Sequence, residues 1–233
     1  MPTRAKPQPN SESIDNYLKA ILALGGSQER RVAGKELADH LHVAPASVTN
    51  MLQKLATLPE PPVLYEIHRG VRLSAAGRRR ALEIVRHHRL IETFLFEFLD
   101  YPLEEVHDEA ERLEHFISER FEERIAAKLG HPKIDPHGHC IPALDGRMAG
   151  PAADRLSEAV GDGPFVVESV EDHDSQILKL LRTGGIRPGQ RLQVRSRSAA
   201  GHVRLRIGAR IVDLPPQAAH AVRVRSGLGD RLR

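Results

Sequence analysis

The chain has 233 residues, 40% of them hydrophobic, 28% charged and 4% aromatic, with a formal net charge of +3. At roughly 100–200 residues per domain this is one or two domains, with enough apolar residues to bury a core and exclude wholesale disorder. A single cysteine, Cys140, excludes an intrachain disulfide framework and any thiolate-rich zinc or iron–sulfur centre.

No apolar run approaches the ~18 residues of a membrane span, and the opening MPTRAKPQPNSES lacks the apolar stretch of a secretory signal. A soluble, cytoplasmic protein is therefore expected. The small net charge conceals strong segregation: residues 1–80 carry 12 basic against 7 acidic side chains, residues 81–150 carry 8 against 15, and residues 151–233 carry 14 against 9. Seven of the 13 histidines lie in the acidic middle. The basic head points to a polyanionic partner. The centre, rich in carboxylate and imidazole, points to a divalent cation.

Residues 1–12, rich in Pro, Lys, Arg and Ser, read as a disordered arm. Ser13 opens a helix with Ile14, Tyr17, Leu18, Ile21 and Leu22 at helical spacing, stopped by Gly25 and Gly26. A short second helix follows over Val32–Leu41. A third starts at Pro45, whose ring pre-sets the first turn, with Val48, Met51, Leu52 and Leu55 on its apolar face. Two short β runs, 63–67 and 71–73, flank His68-Arg69-Gly70 as a hairpin. Ser74 then caps a long helix reaching about Leu99. Helix–turn–helix followed by a basic hairpin is the winged-helix pattern, its recognition helix at about 46–57.

One further helix is expected over 103–129, with an apolar stripe of Val106, Ala110, Leu113, Phe116, Ile117 and Phe121 that suits dimerisation. The stretch 130–164, rich in Pro and Gly, reads as mostly linker with a short helix at 152–160. From Phe165 onward, FVVESV, RLQVRSR, HVRLRIG, ARIVDL and AVRVR alternate as strands of a small β-barrel, interrupted by a helix at 174–183. Small barrels of this kind bind Pro-rich peptides through aromatic grooves. Phe165 is the one aromatic residue in this segment, so that role is weak.

The segment His107–His115 carries the chemistry. His107, Glu111, Glu114 and His115 share one face of a helix and would repel and desolvate badly without a cation. His88 and Glu92, at i and i+4 on the preceding helix, offer a facing pair, so that two helices can build a site of nitrogen and oxygen donors. A solvated acidic face explains the same spacing. His137-Gly138-His139-Cys140 is either a three-donor zinc cluster or a plain turn. No Gly-x-Ser-x-Gly, Walker, GxGxxG or HExxH element is present, and the chain reads as a non-enzyme.

The succession of winged helix, EIVRHHRLIETFL, VHDEAERLEHFIS, DPHGHCIP and a terminal barrel resembles the diphtheria toxin repressor family of metal-dependent regulators over residues 11–225. The resemblance implies a mainly α fold with a small β part. A winged helix–turn–helix would occupy 13–80, a helical metal-binding and dimerisation domain 81–145, a linker 146–163 and an SH3-like (FeoA-like) domain 164–226. It implies a homodimer that represses metal-uptake genes when metallated. Carried over by position, a primary metal site would use Asn16, Glu111, Glu114 and His115. An ancillary site would use His88, Glu92 and His107, with Glu171 and Asp174 contributed from the barrel.

Two departures bear on the metal. Iron-responsive members have Met in the first helix and Cys at the position of Glu111, whereas manganese-responsive members have Asp and Glu there. This chain pairs Asn16 with Glu111, and Asp15, about 100° away on the helix, is not expected to replace Asn16. Manganese regulators of the shorter type lack the barrel. A sulfur-free set favours harder ions, so Mn(II), with Fe(II) next, is expected, two ions per subunit.

Ser47, Thr49 and Asn50 near the start of the third helix are the expected base-reading residues, and Lys54, Arg69 and Arg72 the phosphate contacts on palindromic operator DNA. A di-metal hydrolase using the same His/Glu face is one alternative, although it leaves the basic head unexplained. A metal-independent winged-helix protein is the other.

Overall fold

A computed structural model of the protein describes residues 11–26, 29–148 and 153–227. The expected arm at 1–12 falls outside them except for Ser11 and Glu12, which already belong to the first helix. The chain divides into two compact units: residues 1–87, 114–117 and 142–148, and residues 88–113, 118–141 and 149–233.

The first unit is the winged helix. Helices α1 (Ser11–Gly25), α2 (Gly34–Leu41) and α3 (Pro45–Ala56) precede the hairpin β1 (Val63–Glu66) and β2 (Gly70–Leu73). The predicted faces of α1 (Tyr17, Leu18 and Ile21) and α3 (Val48, Leu52 and Leu55) are buried, and Leu37 and Ala38 of α2 join them, packed with Val32, Val63 and Val71. Val63 pairs with Leu73 and Glu66 with Gly70. Val32 exchanges backbone hydrogen bonds with Val71, which ties the wing to the chain entering α2. Gly70 is required there, since at φ 88° a Cβ would stand 2.4 Å from the Val32 carbonyl oxygen. Ser74 caps α4 (Ala75–Phe98) as expected, its Oγ accepting from the Gly77 amide at 3.1 Å.

The second unit contains the later part of α4 and two helices where one was expected. α5 (Val106–Leu113) and α6 (Glu119–Lys128) replace the helix at 103–129. Ser118 adopts an extended conformation (φ −90°, ψ 153°) and its side chain accepts from the Phe121 amide, so it starts a new helix. The apolar stripe is broken accordingly. Val106 and Ala110 are buried, while Leu113, Phe116 and Phe121 are exposed. Ile125 and Ala126 pack with Leu90 and Ile141.

The barrel segment is a six-stranded antiparallel sheet in the order β3-β8-β4-β5-β6-β7. Its strands are β3 (Asp154–Arg155), β4 (Phe165–Val170), β5 (Arg191–Arg197), β6 (Val203–Ile207), β7 (Arg210–Leu214) and β8 (Val222–Ser226). Irregularities at Val167/Ser169 and Val194/Ser196 bend it around a core that includes Val167, Leu205 and Leu214. α7 (Ser175–Gly184) matches the expected helix, while α8 (Pro216–His220) was not anticipated because five residues give no period to detect. The expected helix at 152–160 is instead β3 and a turn. Asp154 pairs with Val224, and Leu156 and Ala159 enter the barrel core, so this part of the expected linker belongs to the barrel.

Candidate metal centres and nucleic-acid surface

In the first unit, α1 presents Asp15, Asn16 and Lys19 together with Glu114 and His115. His115 Nε2 lies 3.1 Å from Asn16 Oδ1 and 3.2 Å from Glu114 Oε1, and His115 Nδ1 lies 3.5 Å from Asp15 Oδ2. The imidazole thus faces two consecutive helix residues, Asp15 as well as Asn16. Asp15 is 2% exposed and accepts from Arg80 Nε and Nη2, both at 2.9 Å. Burial alone would raise its carboxyl, but the hydrogen bonds from His115 and Arg80 outweigh that and hold it below the ordinary carboxylate range. Lys19 Nζ donates to both oxygens of the fully buried Glu114, at 2.7 and 2.9 Å. Glu111 lies on α5 in the second unit.

The second unit gathers a larger cluster. His88 and Glu92, one turn apart on α4, meet with His88 Nε2 3.0 Å from Glu92 Oε1. His107 of α5 brings its Nδ1 to 3.1 Å from His88 Nε2 and 3.4 Å from Glu92 Oε1. The three expected ancillary residues are therefore together. The segment Asp135–Cys140 adds to them. Asp135 Oδ1 accepts from the amides of both His137 and His139 at 2.9 Å, winding the chain into a tight turn. The His137 carbonyl accepts from the Val170 amide at the end of β4. Gly138 is obligatory here, because at φ 92° a Cβ would fall 2.1 Å from the Glu168 carbonyl oxygen.

The turn places His137 Nδ1 3.6 Å from Glu92 Oε1. It also sets His139 Nδ1 3.3 Å from Asp172 Oδ2 and 3.5 Å from Asp135 Oδ2. His137 Nε2 faces the Leu103 carbonyl at 3.1 Å. A proton on Nε2 would go to that carbonyl, while a proton on Nδ1 would face Glu92 and help hold its carboxyl low.

The barrel contributes Asp172, which directly follows Glu171, the first of the two expected. Its Oδ2 is also 3.9 Å from His107 Nδ1. Glu171 instead pairs with Arg155 at 2.6 Å, and Asp174 caps α7 by accepting from the Gln176 and Ile177 amides. All three carboxylates lie in the loop between β4 and α7, where no alternation of faces tells them apart in the sequence. His137 and His139 were legible only as the HGH pair. The signal that ties the two histidines into one turn is Asp135, at i−2 and i−4 from them.

Electrostatically the cluster is a set of coupled carboxylate–imidazole pairs, whose imidazole protons a bound cation would replace. Burial pushes the Glu92 carboxyl up, yet His88, His107 and His137 outweigh burial and hold it well below the ordinary range. His139 would be lowered by burial, but Asp135 and Asp172 raise it to about 10. Asp172 is likewise held low by His139 against the effect of burial. Glu92 is 0% exposed, and its Oε2 has no hydrogen-bond partner, nor has His137 Nδ1. Orphan acceptors of this kind are costly unless a cation fills the space between them. Oxygen and imidazole donors without sulfur fit a hard or borderline divalent ion.

On α3, Ser47, Thr49, Asn50 and Lys54 are all exposed, on the side opposite buried Val48, Leu52 and Leu55. Thr49 Oγ1 donates back to the Pro45 carbonyl at 3.2 Å. Arg69 and Arg72 are exposed on the wing, and the Arg69 guanidinium makes a long contact of 3.5 Å to Glu66.

Comparison with known proteins supports the same division of labour. Residues 10–58 match the family model of the iron dependent repressor N-terminal DNA binding domain, and residues 74–143 that of its metal binding and dimerisation domain. Residues 155–226 match the FeoA domain. The iron-dependent repressor IdeR of Mycobacterium leprae is 37% identical over 171 residues, covering 67% of this chain and 74% of that protein. The diphtheria toxin repressor of Corynebacterium diphtheriae is 29% identical over 224 residues, covering 91% and 96%. A solved structure of a manganese-dependent transcriptional repressor in complex with manganese superposes with a TM-score of 0.81 at 40% identity, covering 91% of this chain and 99% of that one. ScaR with bound zinc gives 0.78 at 30% identity, covering 94% and 100%. The chain belongs to the diphtheria toxin repressor family of metal-dependent transcriptional regulators.

Proposed function

We propose that the protein is a metal-dependent transcriptional repressor that senses Mn(II), or Fe(II) next in preference, and controls metal-uptake genes by binding operator DNA as a homodimer. The observation that carries this reading is the buried Glu92 carboxylate, ringed by His88, His107 and His137 and left with an unpartnered oxygen. One ion would be held by these residues together with Asp172 and His139. A second would be held by Glu114, His115 and Asn16 or Asp15. The metal supplies positive charge that lets these carboxylates stay close without repulsion. Both donor sets lack sulfur, which favours manganese, with coordination geometry and cellular supply selecting among ions that bind more tightly.

DNA is read by one recognition helix per protomer. Ser47, Thr49 and Asn50 face base edges, and Lys54, Arg69 and Arg72 face phosphates. A two-fold dimer implies half-sites about 34 Å apart on a palindromic operator. Exposed Phe98, Leu99 and Phe121 supply apolar surface for the dimer.

The test is fluorescence anisotropy of a labelled metal-uptake promoter fragment at fixed salt, in EDTA and then in Mn(II), anaerobic Fe(II) and Zn(II). Tight binding only with metal is expected, and equal binding in EDTA would sink the proposal.

A further inference from the structure

A cavity of about 570 Å³ in the second unit takes no part in either metal centre. Its volume lies within the range of about 300–1,000 Å³ typical of small-molecule sites. Phe96, Leu103 and Ile186 form an apolar wall. The polar side is unusual. Glu104 is 5% exposed, its Oε1 accepts from Arg182 Nη2 at 3.0 Å, and its Oε2 is buried without a hydrogen-bond partner. Arg187 and Arg210 line the same cavity. Arg210 spends one N–H on the Thr183 carbonyl, and Arg187 is exposed. One carboxylate among three guanidinium groups leaves an excess of two positive charges.

A buried acceptor with an open lone pair calls for a donor, and the surplus arginine charge calls for an anion. We infer that this cavity binds a small organic anion carrying a phosphate or carboxylate group for Arg187 and Arg210 and a hydroxyl or amino group for Glu104 Oε2. The wall residue Leu103 also holds His137 through its carbonyl. Occupancy therefore shifts the affinity of the histidine cluster for metal, a consequence that rests on the metal reading of that cluster.

The experiment is calorimetric titration of the metal-free full-length chain at 150 mM salt. Two pairs of probes at pH 8 separate the phosphate and carboxylate sources and isolate the hydroxyl: ribose 5-phosphate against methyl phosphate, and citrate against tricarballylate. One member of the hydroxylated set should bind once per chain, at least tenfold tighter than its hydroxyl-lacking counterpart. Arg187→Ala, at an exposed position where the fold is retained, should weaken it at least tenfold. Absence of binding, equal binding of the paired probes, or no effect of Arg187→Ala would each overturn the site. The coupling is read separately, by Mn(II) titration with and without saturating ribose 5-phosphate or, if citrate alone binds, with the DNA-free protein pre-equilibrated in citrate and Mn(II) buffered for chelation. An unchanged Mn(II) affinity would overturn the coupling and leave the pocket standing.

Discussion

Lys19 shows how one side chain sets the behaviour of the first-unit site. Its ammonium already sits on both oxygens of buried Glu114, doing with a tethered charge what a divalent ion would do with a free one. On the proposed assignment of Glu114 as a ligand, metal capture has to displace it. Replacing Lys19 with Met should therefore raise Mn(II) affinity by about tenfold, the factor that roughly 1.4 kcal/mol represents. The same change should lower the stability of the metal-free protein by about 2 kcal/mol, since a buried carboxylate loses a charged hydrogen-bond partner. Calorimetric metal titration and urea unfolding check the two halves, and a weaker metal affinity would contradict the displacement.

Glu92 supports a complementary prediction in the second unit. Glu92→Gln keeps the shape and removes the charge that His88, His107 and His137 converge on. Loss of one Mn(II) equivalent per chain is expected, with the other retained, as read by metal analysis after equilibrium dialysis. Retention of both would remove Glu92 from the ligand set.

Among the secondary elements, the break between α5 and α6 is the most consequential departure from the expected pattern. Apolar spacing runs on through 106–121 without interruption, so periodicity alone predicts a continuous helix. Ser118 overrides it, because its side chain satisfies the Phe121 amide at the start of α6. Ser118→Ala should cost about 1 kcal/mol through loss of that cap. Thermal unfolding of the metal-free protein checks this, and Ser118→Asp should restore the loss because Asp also caps.

The same contrast explains what the sequence made legible elsewhere. Helices α1 to α4 and the wing were readable because burial, capping and turn residues all agree in them, from Ser74 at the head of α4 to Gly70 in the hairpin. His88 and Glu92 were readable as a pair because i,i+4 spacing survives folding, whereas His107 was joined to them only through the family resemblance. The rest of that cluster depends on contacts far apart in sequence. His137 joins Glu92 across 45 positions through a turn fixed by Asp135 and Gly138, and Asp172 arrives from the barrel. No local period records such meetings, so the neighbouring carboxylates Glu171 and Asp174 were selected instead.

For the molecule as a whole, the segregated charge of the sequence becomes a division between a basic reading head and buried anionic centres, and the two can be perturbed separately. Arg69 stands exposed on the wing with a long contact to Glu66. Arg69→Ala should weaken binding to specific and unrelated duplexes alike and reduce the slope of log affinity against log salt by about 0.9, the loss of one phosphate contact. Metal titrations should be unchanged, and a changed metal affinity would place Arg69 outside the DNA surface. Glu114→Ala should act in the opposite pattern, weakening metal binding and metal-dependent DNA binding together. Linkage makes the argument quantitative. If Mn(II) raises operator affinity by some factor, the operator must raise Mn(II) affinity by the same factor. In the wild type that factor, measured from either side, should agree. In Glu114→Ala it should fall toward one from both sides, whereas in Arg69→Ala it should persist at reduced overall affinity. A Glu114→Ala protein that binds operator as tightly and as metal-dependently as the wild type would dissociate the buried carboxylate from the switch.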